Sequence, residues 1–291
     1  MTSLMTNTSA MTALKSLQMT NKSLEATQKN ISTGYRVSEA SDNAAYWSIA
    51  TTMRSDNKAL GTVTDALGLA SAKIDVAYTG MNSAIEVVQE MKSKIVAAQE
   101  PGVDKSKIQS EMEALQGQLL SIADSASFSG ENWLTSGGTK SLVASFTRDS
   151  AGAVSVTTID LDLTNVQLVD STTTPTAGIL GANGTASSTS VLAMDVTTGD
   201  LGDLLTDIDT ALESMTTAAA DLGSTKNRVS IQSDFVSSLR DSISSGIGKL
   251  IDADMTEEST KLQALQTQQQ LGIQALSMAN SGSQSLLALF R

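Results

Sequence analysis

The side chains of this sequence that could do chemistry are carboxylates in close pairs. Asp252 and Asp254 form one pair, and Glu257 and Glu258 form another. The chain has no histidine and no cysteine, which removes the commonest general base, the commonest metal ligand and all thiol chemistry. No phosphate-binding Gly-Lys-Ser/Thr loop and no Gly-x-Ser-x-Gly turn occurs. The pairs therefore fit helix capping or solvated helix faces, and we predict a protein that is not an enzyme and uses no cofactor or metal.

Charge and hydropathy argue against two classes of partner. The formal net charge is −12, and a protein without a basic patch binds the phosphates of nucleic acid poorly. No run of about 18 apolar residues occurs, so no membrane-spanning segment is expected. The N-terminal stretch lacks the charged start and apolar block of a secretory signal peptide. Export is therefore expected to use a route other than general secretion.

Long helices must position these side chains, and the clearest of them lies between residues 201 and 250. Every seventh residue there is a large aliphatic: Leu201, Ile208, Met215, Leu222, Val229, Val236, Ile243 and Leu250. The column of residues three positions later is mixed in composition. A repeat held this long indicates a helix whose apolar seam packs against partner helices. Gly246 and Gly248 are expected to loosen its end.

Two upstream segments carry matching apolar seams, spaced alternately three and four residues apart. The first seam consists of Leu60, Val63, Leu67, Ala70, Ile74, Ala77, Met81, Ala84, Val88, Met91 and Ile95. The second consists of Ile108, Met112, Leu115, Leu119 and Ile122. Three seams from distant parts of the chain predict a mainly α protein, a long antiparallel α-helical bundle or coiled-coil rod.

The stretch 136–199 has a different, β-leaning composition. Apolar and polar residues alternate over 142–146 and again over 154–158, and the turn-forming residues 149–152 (DSAG) lie between them. This pattern predicts a β-hairpin. Residues 159–198 are rich in Ser, Thr, Gly and Ala, with few large apolar residues for a core. They fit either a small β-containing outer domain or a glycosylated or mobile surface.

The two ends differ from the middle because polar residues interrupt their seams. Residues 1–32 are predicted to form a helix with sparse apolar anchors and with Asn21 and Gln28 at intervening seam positions. The anchors are Leu4, Met11, Leu14, Leu17, Leu24 and Ile31. The last helix, about 255–291, has the seam Leu262, Gln266, Gln269, Ile273, Leu276, Asn280, Ser283, Leu287 and Phe290. Helices with so little apolar surface are marginal alone and become ordered against partners. The pattern is typical of a polymer subunit with a folded middle and two assembling ends.

Local signals mark the breaks that follow the first helix. Gly34 is expected to end it, and Ser41 and Asp42 are candidate N-caps for the next helix. A short helix over 44–53 and a separate long helix over 57–99 are expected.

Two groups of motifs near the ends match one known family. They are the segments 31–37 (ISTGYRV), 41–45 (SDNAA), 252–254 (DAD), 268–270 (QQQ), 278–280 (MAN) and 284–291 (QSLLALFR). In these motifs the chain resembles bacterial flagellin, the subunit of the flagellar filament. The resemblance covers about 1–135 and 200–291, and both groups occur in the family's order and at the family's distance from the termini.

The resemblance implies terminal helices that pair as a filament core, scaffold helices around them and a middle that faces outward. It implies a homopolymer, or a filament shared with other flagellins, that drives swimming from outside the cell. It also implies export through the flagellar secretion channel, a chaperone on the C-terminal helix, and contacts with filament cap and hook-junction proteins. The expected segments are 1–45 (N-terminal core helix and bend), 46–135 (N-terminal scaffold), 136–199 (outer domain), 200–250 (C-terminal scaffold) and 251–291 (C-terminal core helix).

The residues expected to pack in the filament core lie in or near the end motifs. They are Leu17, Leu24, Ile31, Arg36, Asp42, Ala44, Ala45, Ile273, Leu276, Asn280, Leu287 and Phe290. Each large aliphatic among them contributes about 1.5–3 kcal/mol when fully buried. Arg36 and Asp42 are expected to pair near the bend after the first helix.

An innate immune receptor senses many flagellins through an Arg, a Leu one turn later and a Glu on the third scaffold helix. Here the segment 108–112 (IQSEM) places Glu111 at the Glu position. A gapless count places Val87 at the Arg position and Met91 at the Leu position. Because the Arg and its forked hydrogen bonds are missing, weak or absent sensing is expected. The alternative is an alignment error of one turn, with Val87 a surface residue beside Val88.

Two other interpretations explain part of the sequence. A hook–filament junction protein would share the plan of end helices but would occur in few copies. A generic secreted coiled-coil protein would explain the seams but not the paired end motifs. The segment 284–291 and the short middle favour the filament subunit.

Overall fold

The computed structural model of the chain is mainly α-helical, as the seams predict. It describes residues 7–171, 173 and 175–288, with the backbone alone over 283–288. The helices are α1 (Thr8–Thr33), α2 (Ala44–Ala98), α3 (Lys105–Ser125), α4 (Leu201–Ile251) and α5 (Met255–Ala288). The strands are β1 (Ser127–Phe128), β2 (Glu131–Asn132), β3 (Thr139–Arg148) and β4 (Val154–Asp162), and a 3-10 turn covers Val191–Ala193.

Contacts within the chain group these elements into two units. The terminal unit contains residues 1–57 and 241–291, and the central unit contains residues 58–240. Helices α2 and α4 each contribute one end to the terminal unit and the remainder to the central unit.

Both long helices continue where a break or a loosened turn was predicted. α2 is one helix of 55 residues, so the expected interruption between 53 and 57 is wrong. α4 continues through Gly246 and Gly248 to its end. A glycine costs about 1 kcal/mol against alanine inside a helix, but Ile247 and Ile251 on the same turns are buried, and their packing outweighs that cost.

The predicted seams are confirmed as the core of the central unit. Every seam residue of α2 from Leu60 to Ile95 is at most 6% exposed. The α4 column from Ile208 to Val236 is buried as well. In α3 the seam is buried except at Ile122, which is half-buried. The first four members of the mixed second column of α4 are also buried: Leu204, Ala211, Ala218 and Thr225.

Within the central unit, α2 and α4 run antiparallel with one constant register. Lys92 pairs with Asp209, and Lys226 Nζ lies 2.6 Å from Asp75 Oδ1. In both pairs the two residue numbers add up to the same value. This is expected when two antiparallel helices pair without a shift in register. Two close approaches obey the same relation: Gly61 with the Arg240 side chain and Gly223 with the Tyr78 ring.

Strands β3 and β4 form the predicted antiparallel hairpin. Asp149 accepts hydrogen bonds from two backbone amides of the turn at 2.8 and 2.9 Å. Gly152 in that turn has a φ of 88°, a conformation that favours glycine. The register shifts between Val143 and Ser145, so an alternation counted in steps of two fails beyond that bulge.

The alternation of apolar and polar residues suggested a buried face close to the turn of the hairpin. In the structure the buried residues of β4 lie farther from the turn. Val154 and Val156 are exposed, whereas Ile159 and Leu161 are buried.

The described residues between 163 and 198 are packed, and the expectation of few core residues there is wrong. The buried apolar residues are Leu163, Val166, Leu168, Val169, Leu180, Val191, Met194 and Val196. The carboxylate of Asp207 on α4 accepts hydrogen bonds from the backbone N–H groups of Ala186 at 3.0 Å and Ser187 at 2.7 Å. Gln116 of α3 donates to the carbonyls of Val191 and Met194 at 3.2 and 3.1 Å. Polar anchors on two helices thus hold an irregular segment in place.

Candidate functional site

The terminal unit brings the two ends of the chain together as an antiparallel pair of helices, α1 and α5. Three side-chain hydrogen bonds mark this pairing along its length. They join Asn7 Nδ2 to Ala279 O at 2.9 Å, Gln269 Nε2 to Asn21 Oδ1 at 2.8 Å, and Asn30 Nδ2 to Glu258 Oε1 at 3.1 Å. Of the polar residues in the two predicted seams, Asn21 and Gln269 therefore hydrogen-bond to each other across the pair.

Each helix turns one face toward the other, with alternating spacings of three and four residues. On α1 the less exposed positions are Ala10, Ala13, Leu17, Thr20, Leu24, Thr27 and Ile31. On α5 they are Glu258, Leu262, Leu265, Gln269, Gly272, Leu276 and Ala279. In both helices one predicted column is correct, and the other is wrong by one residue. The predicted anchors Met11 and Leu14 are also wrong, because both are exposed, and Leu4 lies outside the described residues.

Small side chains account for two of the three wrong positions on α5. The predicted positions Gln266, Ile273 and Asn280 are exposed. The residues that face α1 in their place are Leu265, Gly272 and Ala279. A Cβ on Gly272 would lie 3.1 Å from Leu17 Cδ1, so the missing side chain lets the two helices approach closely. Close approach decides the register here, whereas the prediction favoured the larger apolar residue.

Buried polar groups weaken the same contact. On α1, Thr20 and Thr27 occupy the column predicted for Asn21 and Gln28. Thr27 is 1% exposed, and its Oγ1 has no hydrogen-bond partner within the described residues. Glu258 is also buried, and its Oε2 is likewise without a partner there. An unpaired buried polar group costs about 1–3 kcal/mol, so the pair is held less firmly than the central core.

The outer sides of the pair expose large apolar side chains. These are Met11, Leu14 and Met19 on α1, and Met255, Leu271, Ile273 and Met278 on α5. Leu271 and Met278 are seven residues apart and therefore share one face of the helix. Exposed large apolar side chains in such numbers are typical of a surface that another molecule covers.

The bend after α1 is attached to the junction between α4 and α5. Gly34, with a φ of 73°, ends α1, and its carbonyl accepts a hydrogen bond from Ala253 N at 2.9 Å. Arg36 donates its backbone N–H to Ile251 O at 2.7 Å and its guanidinium Nη2 to Leu250 O at 3.1 Å. The guanidinium thus satisfies a carbonyl near the C-terminus of α4, where the helix dipole favours positive charge.

The predicted pairing of Arg36 with Asp42 is wrong. Asp42 Oδ2 accepts hydrogen bonds from the backbone N–H groups of Glu39 and Ser38, both at 3.0 Å. These donors, led by Glu39, lower the pKa of Asp42. The nearest cation to Asp42 is Lys29, whose Nζ lies 3.8 Å away. Asp42 therefore holds the loop by its backbone rather than by an ion pair with Arg36.

Asn43, rather than the predicted Ser41 or Asp42, caps α2. Its Oδ1 accepts hydrogen bonds from two backbone N–H groups of the first turn, both at 3.1 Å. The candidate packing residues Ala44 and Ala45 lie in that turn and are exposed.

The carboxylates of the two predicted pairs mainly cap helix α5 or face solvent. Asp254 Oδ1 accepts hydrogen bonds from the backbone N–H groups of Glu257 at 3.2 Å and Thr256 at 2.8 Å, which confirms the predicted helix capping. The same donors lower the pKa of Asp254, with that of Glu257 contributing most. Glu258 is the exception to the solvated face, because it is buried against α1.

Two findings bear on metals and membranes. Across residues 7–171, 173 and 175–288, no three acidic side chains converge as metal ligands would. None of the helices so described combines the length and the apolar character needed to cross a bilayer.

Of the remaining candidate packing residues, four lie in the contact between α1 and α5, and two belong to the last residues of the chain. Leu17, Leu24, Ile31 and Leu276 are half-buried on the facing sides of α1 and α5. The side chain of Leu287 and the whole of Phe290 lie outside the described residues.

The receptor-equivalent positions lie in the central unit. Val87 is 6% exposed and Met91 is fully buried, so the surface position that the alternative gave Val87 is wrong. The gapless count itself stays a prediction. Glu111 is exposed, and its Oε2 lies 2.6 Å from Lys94 Nζ. That contact raises the pKa of Lys94.

Comparisons with known proteins agree on one family. The family model of the bacterial flagellin N-terminal helical region matches residues 4–139, and that of the bacterial flagellin C-terminal helical region matches residues 205–290. Flagellin C and Flagellin A of Rhizobium meliloti (strain 1021) are 50% and 46% identical over 321 and 395 residues. Flagellin of Brucella melitensis is 46% identical over 293 residues. Each alignment covers 100% of this chain and 100% of the relative.

None of these matches supports the hook–filament junction alternative. Together with the paired terminal helices and the buried seams, they establish what kind of protein this is. The chain belongs to the bacterial flagellin family and is a structural subunit of the extracellular flagellar filament, not an enzyme.

Proposed function

We propose that the α1/α5 pair is the surface through which this subunit assembles, and that copies of this chain or of related flagellins cover its outer sides. One observation carries this proposal. The terminal unit exposes seven large apolar side chains on α1 and α5, whereas the α2 seam and the α4 column from Ile208 to Val236 in the central unit are buried. Covering such side chains contributes about 1.5–3 kcal/mol each when the burial is complete.

The proposal divides the candidate packing residues by their position. Leu17, Leu24, Ile31 and Leu276 stabilise the pair within one subunit. The others contact neighbouring copies or shape the bend: Ile273, Asn280, Leu287 and Phe290 at the contacts, and Arg36, Asp42, Ala44 and Ala45 at the bend. The five segments bounded at 45, 135, 199 and 250 remain a proposed division into core, scaffold and outer parts.

Electron microscopy of purified protein seeded with filament fragments tests the assembly surface. The full-length chain is compared with a variant lacking residues 1–32 and 262–291, and thermal unfolding shows whether the variant keeps a folded central unit. Long filaments from the full-length chain alone are the expected result. Filament growth by the folded, truncated variant would refute the proposal.

We also infer that a flagellar export chaperone binds α5 before assembly. The helix has apolar residues on two sides: Leu265 and Leu276 face α1, whereas Leu271 and Met278 face away from it. In a subunit whose α1 and α5 are not yet paired, both sides are therefore open to a chaperone. The prediction is measurable by calorimetry with the cognate chaperone, where replacing Leu271 and Met278 by Gln should weaken binding. Unchanged affinity would remove α5 as the site. Contacts of the terminal unit with cap and hook-junction proteins belong to the same proposal.

Weak sensing by the innate receptor remains a proposal, with new support. Val87 lacks the charge of the family's Arg, and both Val87 and Met91 are covered within the chain. A reporter assay with purified monomer, beside a flagellin known to activate the receptor, tests this. A full response to this chain would refute it.

A further inference from the structure

The methionines of this chain divide by unit. In the central unit the methionines are at most 1% exposed: Met81, Met91, Met112, Met194 and Met215. In the terminal unit four methionines are between 47% and 68% exposed: Met11, Met19, Met255 and Met278. Met53 is half-buried beside Val37 and Ala50. Met1 and Met5 lie outside the described residues.

This division creates a site of selective chemistry. A peroxide oxidises an accessible thioether by oxygen transfer, in which the sulfur lone pair attacks one peroxide oxygen, the O–O bond breaks and an S–O bond forms. The sulfur loses two electrons and hydrogen peroxide is reduced to water. The product, methionine sulfoxide, is polar. Methionine sulfoxide reductases reverse the step with a dithiol as the reductant, which is oxidised to a disulfide while the oxygen leaves as water. Because reaction requires access, the central unit is protected and the terminal unit is not.

The exposed thioethers do not support the contact between α1 and α5. On α1, Met11 and Met19 are exposed and do not belong to the column of residues that faces α5, which includes Ala10 and Leu17. On α5, Met278 shares its outward face with Leu271. Met255 is the first residue of α5, is 47% exposed, and is not in the facing column, which begins at Glu258. Oxidation at these four sites therefore adds polarity to exposed positions of the pair and leaves the facing columns unchanged.

We propose that Met11, Met19, Met255 and Met278 form a reversible oxidation site that switches off assembly of the free subunit. The inference rests on the proposed function, because the outer sides of α1/α5 must be covered by neighbouring copies for polarity there to matter. Sulfoxides on that surface keep their affinity for water and oppose burial. The critical concentration for filament growth should rise at least about tenfold, which corresponds to a loss of about 1.4 kcal/mol.

The test combines mild hydrogen peroxide treatment of the free subunit, peptide mapping by mass spectrometry and seeded polymerisation. The expected result is sulfoxide at the four exposed sites but not at Met81, Met91 or Met215, unchanged unfolding of the central unit, and loss of filament growth. Treatment with methionine sulfoxide reductases should restore growth. Equal oxidation of buried and exposed methionines would overturn the proposal.

A matched variant assigns the effect to these four side chains. Leucine conserves volume and apolar character, so the variant M11L/M19L/M255L/M278L should polymerise before and after peroxide. It retains Met1, Met5 and Met53, and loss of growth after peroxide would place the effect at those residues and overturn the proposal. Untreated wild-type protein that fails to extend seeds contradicts the assembly surface itself. Normal growth of wild-type protein with sulfoxide mapped at all four sites contradicts the oxidation switch alone.

Discussion

Replacing Thr27 with valine should stabilise the contact between α1 and α5. The Thr27 hydroxyl oxygen is buried and has no hydrogen-bond partner within the described residues. Valine keeps the β-branch and nearly the same volume, so packing and helix propensity change little. Removing an unpaired hydroxyl recovers part of its burial cost of about 1–3 kcal/mol. We expect the free energy of opening the pair to rise by about 1–2 kcal/mol.

Hydrogen exchange of the free subunit measures this opening directly. Because about 1.4 kcal/mol is tenfold in an equilibrium constant, amides of α1 around residue 27 should exchange roughly 5–30 times more slowly in the variant. Thr20→Val is the matched control. The Thr20 hydroxyl lies on the same face but donates to Ser16 O at 3.1 Å, so its removal should bring no gain. Faster exchange in Thr27→Val, or equal gains in both variants, would refute the reasoning.

Three further predictions concern the central unit. Met81→Ala should destabilise the central unit by about 2–5 kcal/mol, because Met81 is fully buried. Thermal unfolding should show a lower Tm, and an unchanged Tm would contradict the packing. Gly184→Ala should cost about 1–3 kcal/mol, because its Cβ would overlap the carboxylate of Asp207; denaturant unfolding measures it. The Thr176 hydroxyl is the main cause that lowers the pKa of Asp170 from 3.8 to about 2. The stabilisation by Asp170 is therefore present above the unfolded pKa and lost as the pH falls toward about 2. Asp170→Asn should flatten the pH dependence of unfolding in that window, and equal slopes would contradict it.

The seams of the central unit could be predicted because their period is strong and their residues are large. From Leu60 to Ile95 and from Ile208 to Val236, aliphatic side chains recur at heptad spacing, and both columns are buried. One register alone buries all of them, so the period decides the packing.

The second column of the α1/α5 contact could not be predicted in this way. Gly272 and Ala279 face α1 because they allow close approach, but small residues contribute little to a hydropathy pattern. The exposed Ile273 is more apolar than Gly272, and the prediction chose it. Its exposure is unfavourable for one subunit alone and agrees with a surface that neighbouring copies cover.

The bend was mispredicted because its partners are backbone groups. Opposite charges suggested that Arg36 and Asp42 pair, yet Arg36 donates to a carbonyl of α4 and Asp42 accepts from N–H groups of its own loop. The anchoring of the 163–198 segment by Asp207 and Gln116 has the same nature. Side-chain identity does not reveal which backbone group a polar residue will meet.

Seeded polymerisation of a double variant, Leu271→Gln with Met278→Gln, tests the assembly surface most directly. These residues share the outward face of α5 and make no contribution to the facing columns. Ser277→Gln is the control, because it places the same amide on an exposed position of α5 without removing apolar surface. We predict that the control extends seeds as wild type does, while the double variant needs at least about tenfold more protein and keeps the same Tm. Equal growth of the double variant would show that the outer side of α5 does not drive assembly.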